Sequence, residues 1–423
     1  MLRLTFVCPK LSHIMRSLFA LSTFRHHIQN NAYLWVCFAM IVGVMGTALA
    51  SPLYPIYQTA WQLTAGDITI LYVIYMASAL SSLLFLGRLS DQKGFVFVLR
   101  VGLILITTGI FLSAIAWSYT SFLISRIFIG LASSLIVTSA SIGLTKLSRS
   151  RDLQRAAATT SLLIAFGFGV GPVMGGLIAQ WAHYPLRSSY FPSMIMGLIA
   201  IYAMFLLPAA PHQPQNPPKK ASWWRPSLHI PSAQARTPFF VGACAAFAAF
   251  SMFSLFASLA PSFMDSMVPW HGPAVSGLSI GIILFMSSGF QLWVRQWPLK
   301  RSLLIGLFAF STSNLLLIAN LQHASVLLFA SSLILTAMGH GLCLISGMGI
   351  VNRIALPEHR AATTSSYLII AYLGAIVPIL ALGFLADLFS MPVALVCFCF
   401  GLFIFSSTLG VLAFKKLRLP ALT

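Results

Sequence analysis

Acidic residues are nearly missing from this sequence. Its 423 residues contain six, against 25 Lys and Arg, and only 7% of the chain is charged. Soluble domains carry about 25% charged residues, which argues against a soluble fold. The six are Asp67, Asp91, Asp152, Asp265, Glu358 and Asp387, and none lies deep in an apolar run. Enzymes assemble clustered acids, bases or metal ligands. Here carboxylates and histidines are scattered, so a polytopic membrane enzyme is a remote alternative. The six cysteines (Cys8, Cys37, Cys244, Cys343, Cys397, Cys399) have no metal-ligand spacing. Cys397 and Cys399, two apart on a helix, point away from each other. They read as buried small hydrophobes, and nothing in the sequence calls for a metal or a cofactor.

Apolar sequence is what the chain has in abundance. Twelve runs of roughly membrane-spanning length cover 32–56, 67–87, 96–116, 120–145, 156–181, 187–207, 238–263, 273–294, 301–320, 325–351, 361–386 and 391–413. The basic residues fall in the N-terminal segment, in the loops after the even-numbered spans and in the C-terminal tail. The exceptions are Arg187, in the loop between spans 5 and 6, and Arg126, inside span 4. By the positive-inside rule both termini are cytoplasmic. The formal charge of +19 is therefore topological, and nucleic acid is not expected as a partner. The expected fold is all-α and integral to the membrane: twelve transmembrane helices in two six-helix halves, in a lipid bilayer such as a bacterial inner membrane.

Residues 208–237 form the one long polar interruption, with PAAPHQPQNPPKK reading as a Pro-rich linker. The expected organisation is a cytoplasmic segment 1–30, a first half 31–208, a linker 209–237, a second half 238–414 and a tail 415–423. Residues 1–30 are basic and acid-free, like a transit peptide in composition; a cytoplasmic tail, or a true start at Met15, is the plainer reading. A faint repeat links the halves. RAAATTS at 155–161 recurs as RAATTSS at 360–366, and SLLIAFGFGVGP then aligns with YLIIAYLGAIVP, Pro172 on Pro378. Span 5 thus matches span 11 in the same direction, a parallel repeat of the kind found in transporters, with the substrate site between halves near mid-membrane.

Four local motifs carry a family resemblance. GRLSDQKG at 87–94, after span 2, fits G-x-L-a-D-r-x-G at Gly87, Leu89, Asp91 and Gly94, with Gln92 in place of the Arg and Phe95 and Val96 in place of the basic pair that follows. Arg126-x-x-x-Gly130 fits R-x-x-q-G, with Ile129 in place of Gln. MGTALASPLYP at 45–55 fits L-G-x5-P-v-x-P at Gly46, Pro52 and Pro55, with Met45 in place of Leu. Gly167, Gly171, Pro172, Gly175 and Gly176 fit g-x-x-x-G-P-x-x-G-G. On these motifs the chain, over residues 30–415, resembles the major facilitator superfamily, and more narrowly its twelve-span drug/proton antiporter branch. The resemblance implies a monomeric secondary transporter that exports small amphipathic compounds in exchange for protons by alternating access. A sugar or organic-anion transporter or facilitator of the same superfamily is the alternative.

The resemblance also assigns roles. The loop after span 2 (Gly87, Asp91, Lys93, Gly94) would latch the cytoplasmic side, its basic half supplied by Lys93 or Arg100. The span 5 motif is associated with exporters. Gly167, Gly171 and Gly175 recur every four residues as one flat stripe, and small residues let membrane helices approach closely. Gly277 and Gly281 of span 8 offer a partner stripe. The expectation is an outer seal between them, with Pro172 allowing span 5 to bend; a static packing face is the plain alternative.

An intramembrane Arg is costly and marks function by default. For Arg126 the resemblance implies a role in proton coupling; bonding to helix-end carbonyls is the structural alternative. Spans of this branch often carry a carboxylate in the first helix, and residues 32–50 have none. Asp67 and His340 are the remaining coupling candidates, with Asp265 and Asp387 at outer helix ends. An imidazole of ordinary pKa, about 6.5, suits a proton switch, although His340 also reads as a satisfied interior histidine. Tyr54, Tyr72, Tyr75, Phe250, Phe253, Gln291, Asn314 and Tyr372 are candidates to line the cavity.

Overall fold

A computed structural model of the chain describes residues 28–87, 89–148, 153–208, 226, 228–264 and 267–417, with the side chains at 91, 153–158 and 357 also outside the description. Twelve helices are long and apolar enough to cross a membrane. We number them α1 (Ala32–Trp61), α2 (Ala65–Leu86), α3 (Phe95–Ala114), α4 (Tyr119–Leu147), α5 (Thr159–Trp181), α6 (Pro185–Leu206), α7 (Ala233–Ser258), α8 (Pro273–Trp293), α9 (Leu299–His323), α10 (Val326–Ile354), α11 (Arg360–Leu388) and α12 (Met391–Lys416). No strand occurs among the described residues. The protein is an all-helical, multi-pass membrane protein. Because the crossings are even in number, both ends of the described chain lie on one face, which also carries most of the basic residues and is called the basic face below.

Local sequence explains where the helices bend. In α1 the regular helix Ala32–Ala48 stops and a 3-10 turn, Ser51–Leu53, intervenes before the chain resumes as Tyr54–Trp61. Pro52 and Pro55 sit in the first turns of these restarted segments. There a missing N–H costs nothing, since it would have had no helical partner. The break turns Tyr54 and Tyr57 inward, and both are buried. Pro172 and Pro378, matched by the sequence repeat, both lie inside continuous helices, in α5 and α11.

A second pair of matched contacts supports the repeat. Arg100, near the start of α3, donates to the last carbonyls of α6: Nε to Met204 O at 3.0 Å and Nη2 to Leu207 O at 2.7 Å. Lys300, at the start of α9, does the same for α12, with Nζ 2.9 Å from Phe414 O. A cation satisfying the orphan carbonyls of a helix end is favourable for both hydrogen bonding and the helix dipole. Arg100 is therefore occupied inside its own half, which leaves exposed Lys93 as the basic member of the loop motif.

The halves meet along two seams, α5 on α8 and α2 on α11, with the far ends of α1 and α7 also touching. The glycine contacts and the Phe166–Phe285 ring pair that join the halves run from the face opposite the basic one to mid-membrane. Among the described glycines none packs across the halves at the basic ends. The outermost is Gln180 of α5 against Gly272 and Ala274 before and in α8, and the deepest is the Phe166–Phe285 ring pair, with centroids 6.1 Å apart. The molecule is closed on the opposite face.

Candidate translocation site

The glycines of α5 divide between two faces. Gly167, Gly171 and Gly175 lie against α1, where a Cβ would meet the carbonyl oxygens of Ile41, Met45 and Leu49 respectively. This stripe packs inside the first half and does not meet α8, unlike the expectation from spacing. The face that meets α8 carries Gly169, Pro172, Val173 and Gly176. A Cβ on Gly176 would fall on the Pro273 carbonyl oxygen, and a Cβ on Gly277 on that of Pro172. Gly281 packs on Val173 and Gly169. The seam is thus a reciprocal, backbone-to-backbone contact that any side chain would obstruct. Gly176 and Pro172 keep a place in it; the regular stripe does not.

The second seam is closed by a carboxylate. A helix start leaves four N–H groups without partners. At α2, Thr64 and Asp67 form a capping box: the Thr64 hydroxyl accepts from the Asp67 N–H at 3.1 Å and the Asp67 carboxylate from the Thr64 N–H at 3.0 Å. Asp387, from the end of α11 in the other half, accepts from the Ala65 and Gly66 N–H groups, each at 2.9 Å. One turn further in, Gly383 packs on Thr69. Asp67, singled out for coupling, is occupied as a cap, and Asp387 is the residue that bridges the halves. An exposed charge-assisted hydrogen bond of this kind contributes about 1 kcal/mol. Asp387→Ala should therefore raise the open fraction of this face about fivefold. A membrane-impermeant thiol reagent applied from that face to a Thr69→Cys protein would show faster labelling. Unchanged labelling would mean that Asp387 holds nothing shut.

Arg126 lies seven residues into α4 and is 1% exposed. Its Nη2 donates to Ser113 Oγ of α3 at 3.1 Å, and its Cζ stands 4.8 Å from the Phe122 ring centroid. The Tyr54 hydroxyl is placed against the guanidinium, and Tyr57, Tyr75 and Tyr190 lie near enough to feel its charge. Tyr57 stacks on Phe122 at 4.3 Å and shares a 3.0 Å hydrogen bond with Tyr190. Nε of Arg126 has no hydrogen-bond partner. Among the described residues no carboxylate pairs with it. Gly130, the second residue of the Arg126 motif, lets α4 close on α2, because a Cβ there would meet the Tyr75 carbonyl oxygen. Gly130 is one turn from Arg126, so the motif sets the close α2–α4 contact one turn from the buried charge.

Across the seam, Tyr72 of α2 shares a 3.0 Å hydrogen bond with Ser254 of α7, and the Tyr72 and Tyr75 rings meet edge to face at 6.2 Å. In the second half Phe250 packs on Tyr372 at 5.3 Å and Phe253 on His340 at 5.7 Å. His340 Nδ1 lies 2.8 Å from Ser287 Oγ, which also accepts from Gln291 at 3.4 Å. Seven of the eight lining candidates thus fall in these aromatic and polar groups. Asn314 does not. It is fully buried in α9, which packs on α10 and α12, and its amide donates to Phe310 O of its own helix. Spacing missed Tyr57, Tyr190, Ser113 and Ser287. Tyr57, one turn after Tyr54, was the one that helical periodicity could have found.

In the loop after α2, the chain forms a short helix, Leu89–Lys93, ended by Gly94 at φ 81°. A side chain is strained at that angle, which accounts for the glycine that closes the motif. Gly87 caps α2. The Asp91 side chain lies outside the described residues, as does all of Asp265.

A family model described as the Major Facilitator Superfamily matches residues 36–297. The chain belongs to the Major Facilitator Superfamily. It is a transporter rather than an enzyme. The quinolone resistance protein NorA of Staphylococcus aureus is 24% identical over 163 residues, 38% of this chain and 41% of that protein. The riboflavin transporter RibZ of Clostridioides difficile is 21% identical over 167 residues, 40% and 36% of the two chains. These alignments span about two fifths of each relative's length. Solved structures share the fold at low identity. A POT family transporter in complex with a thioalcohol-conjugated peptide gives a TM-score of 0.72 at 14% identity, covering 91% of this chain and 96% of that one. A bacterial homologue of the human lysosomal transporter Spinster, inward-facing and occupied, gives 0.69 at 14%, covering 91% and 96%.

Proposed function

We propose that this protein exports small amphipathic compounds across the cell membrane in exchange for protons, by alternating access, with the basic face cytoplasmic. The observation that carries the proposal is the asymmetry of the seams. Glycine-level contact and a capped helix start close one face, while among the described glycines none packs across the halves at the basic ends. Two states of that seam give a substrate site access to each side in turn. The aromatic groups between the halves suit apolar substrates held by area with a few polar anchors. The names of NorA and RibZ, a resistance protein and a vitamin transporter, are compatible with small organic cargo. Arg126 and His340 are the residues proposed for coupling, and Gly87, Asp91, Lys93 and Gly94 for the latch on the basic side.

The test is efflux from vesicles with an imposed proton gradient. Export that follows the gradient supports the proposal, and flux that ignores it supports a facilitator instead. Asp91→Asn is expected to slow export several-fold without changing which compounds compete, because residue 91 sits beyond the end of α2 at the basic face. Normal rates in this variant would show that the latch is dispensable here.

A further inference from the structure

We propose that Arg126 anchors the acidic group of an organic anion, so that the preferred cargo is an aromatic carboxylate rather than a cation. This deepens the transporter reading above and rests on it. A guanidinium taken out of water needs an anion or a full set of acceptors, and removing solvent without pairing costs several kcal/mol per ion. Arg126 is 1% exposed and has neutral hydroxyl neighbours at Ser113 and Tyr54, a ring face at Phe122, and an Nε with no partner. Among the described residues the one carboxylate of its own half, Asp67 at the start of neighbouring α2, is committed to the Thr64 N–H.

The surroundings favour an anion over simple packing. The Tyr54 hydroxyl lies beside the guanidinium, and a phenol can turn its proton toward an arriving oxyanion. A carboxylate on the guanidinium would form the strong, bidentate type of hydrogen-bonded pair. The site is also within reach of the seam. Tyr72 bonds Ser254 of the other half, Tyr75 meets the edge of Tyr72, and Tyr75 is near enough to Arg126 to feel its charge. These rings offer flat surfaces to an aromatic cargo whose acid reaches the cation. A cationic cargo would meet a like charge with no carboxylate to offset it.

The experiment is titration calorimetry on the purified full-length protein in detergent. The probes are benzoate, 2-naphthoate and anthracene-9-carboxylate, each paired with its methyl ester, and tetraphenylphosphonium as a cation. At least one acid should bind about tenfold or more tighter than its ester, the effect of one charge-assisted hydrogen bond. In Arg126→Gln the acid should fall to the level of the ester while the ester is unchanged, and Arg126→Lys should restore part of the preference. A purely structural Arg would alter stability without moving the acid-to-ester ratio. The proposal is overturned if no acid exceeds its ester, if Arg126→Gln keeps the preference, or if tetraphenylphosphonium binds tighter than every acid. Acid preference without gradient-driven flux would leave the anion site standing and remove the exporter reading. Gradient-driven flux of acids and esters alike would do the reverse.

Discussion

Gly176→Leu is expected to reduce export at least tenfold in protein that still inserts and folds. A Cβ at residue 176 falls on the Pro273 carbonyl oxygen, with Gly277 Cα only 3.2 Å away. Both obstacles are backbone, so neither can rotate aside, and overpacking of this kind costs about 1–3 kcal/mol or more. That cost falls on the closed state alone, because the contact is between halves. Cysteines at Gln180 and Ala274, whose side chain and N–H approach at 3.4 Å, report the closure. A short thiol crosslinker should join them in the parent and fail in Gly176→Leu. Gly176→Ala, which adds only the Cβ, should weaken crosslinking in the same direction. Gly175→Leu gives the contrast. Its obstacle is Leu49 of α1 in the same half, so it should lower the yield of folded protein and not selectively the crosslink. Equal crosslinking in the parent and in Gly176→Leu would show that the seam tolerates side chains.

Arg126→Ala is expected to bring gradient-driven efflux from vesicles to background. The substitution removes the one buried fixed charge among the described residues of the first half and the donor that faces the Ser113 and Tyr54 hydroxyls. His340→Gln should cost a few-fold, since a glutamine amide can still reach Ser287 while losing the exchangeable proton. Asp67→Asn should behave differently. It keeps an amide oxygen that can accept from the Thr64 N–H and loses only the carboxylate's charge at the α2 start, about 0.3–1 kcal/mol, with flux per folded molecule retained. Full gradient-driven export by Arg126→Ala would remove Arg126 from the mechanism.

Number and direction of the helices are legible in the sequence because the bilayer imposes a minimum apolar length on every span. The break in α1 is legible for a similar reason: Pro52 and Pro55 permit few backbones. Which helix meets which face of α5 is not legible. GFGVGPVMGG places small residues on two faces, Gly167, Gly171 and Gly175 on one and Gly169, Pro172 and Gly176 on another. Periodicity defines both faces and assigns a partner to neither. The Asp387 bridge is hidden for a different reason. Its acceptor role depends on Ala65 and Gly66 N–H groups more than 300 residues away in the chain, and a lone carboxylate at a helix end looks the same with or without them. The environment of Arg126 is legible in one respect only, the scarcity of acids. That the residues around it are tyrosines from α1, α2 and α6 follows from packing.

The most direct test is a pair of distances in one protein reconstituted in lipid. Spin labels at Gln180 and Ala274 report the face opposite the basic one, and labels at Leu147 and Ile354, the basic ends of α4 and α10, report the other. As substrate and pH are varied, the two distances should change in opposite senses, the first lengthening as the second shortens. A Gln180–Ala274 distance that stays fixed in every condition while transport proceeds would contradict alternating access through this seam.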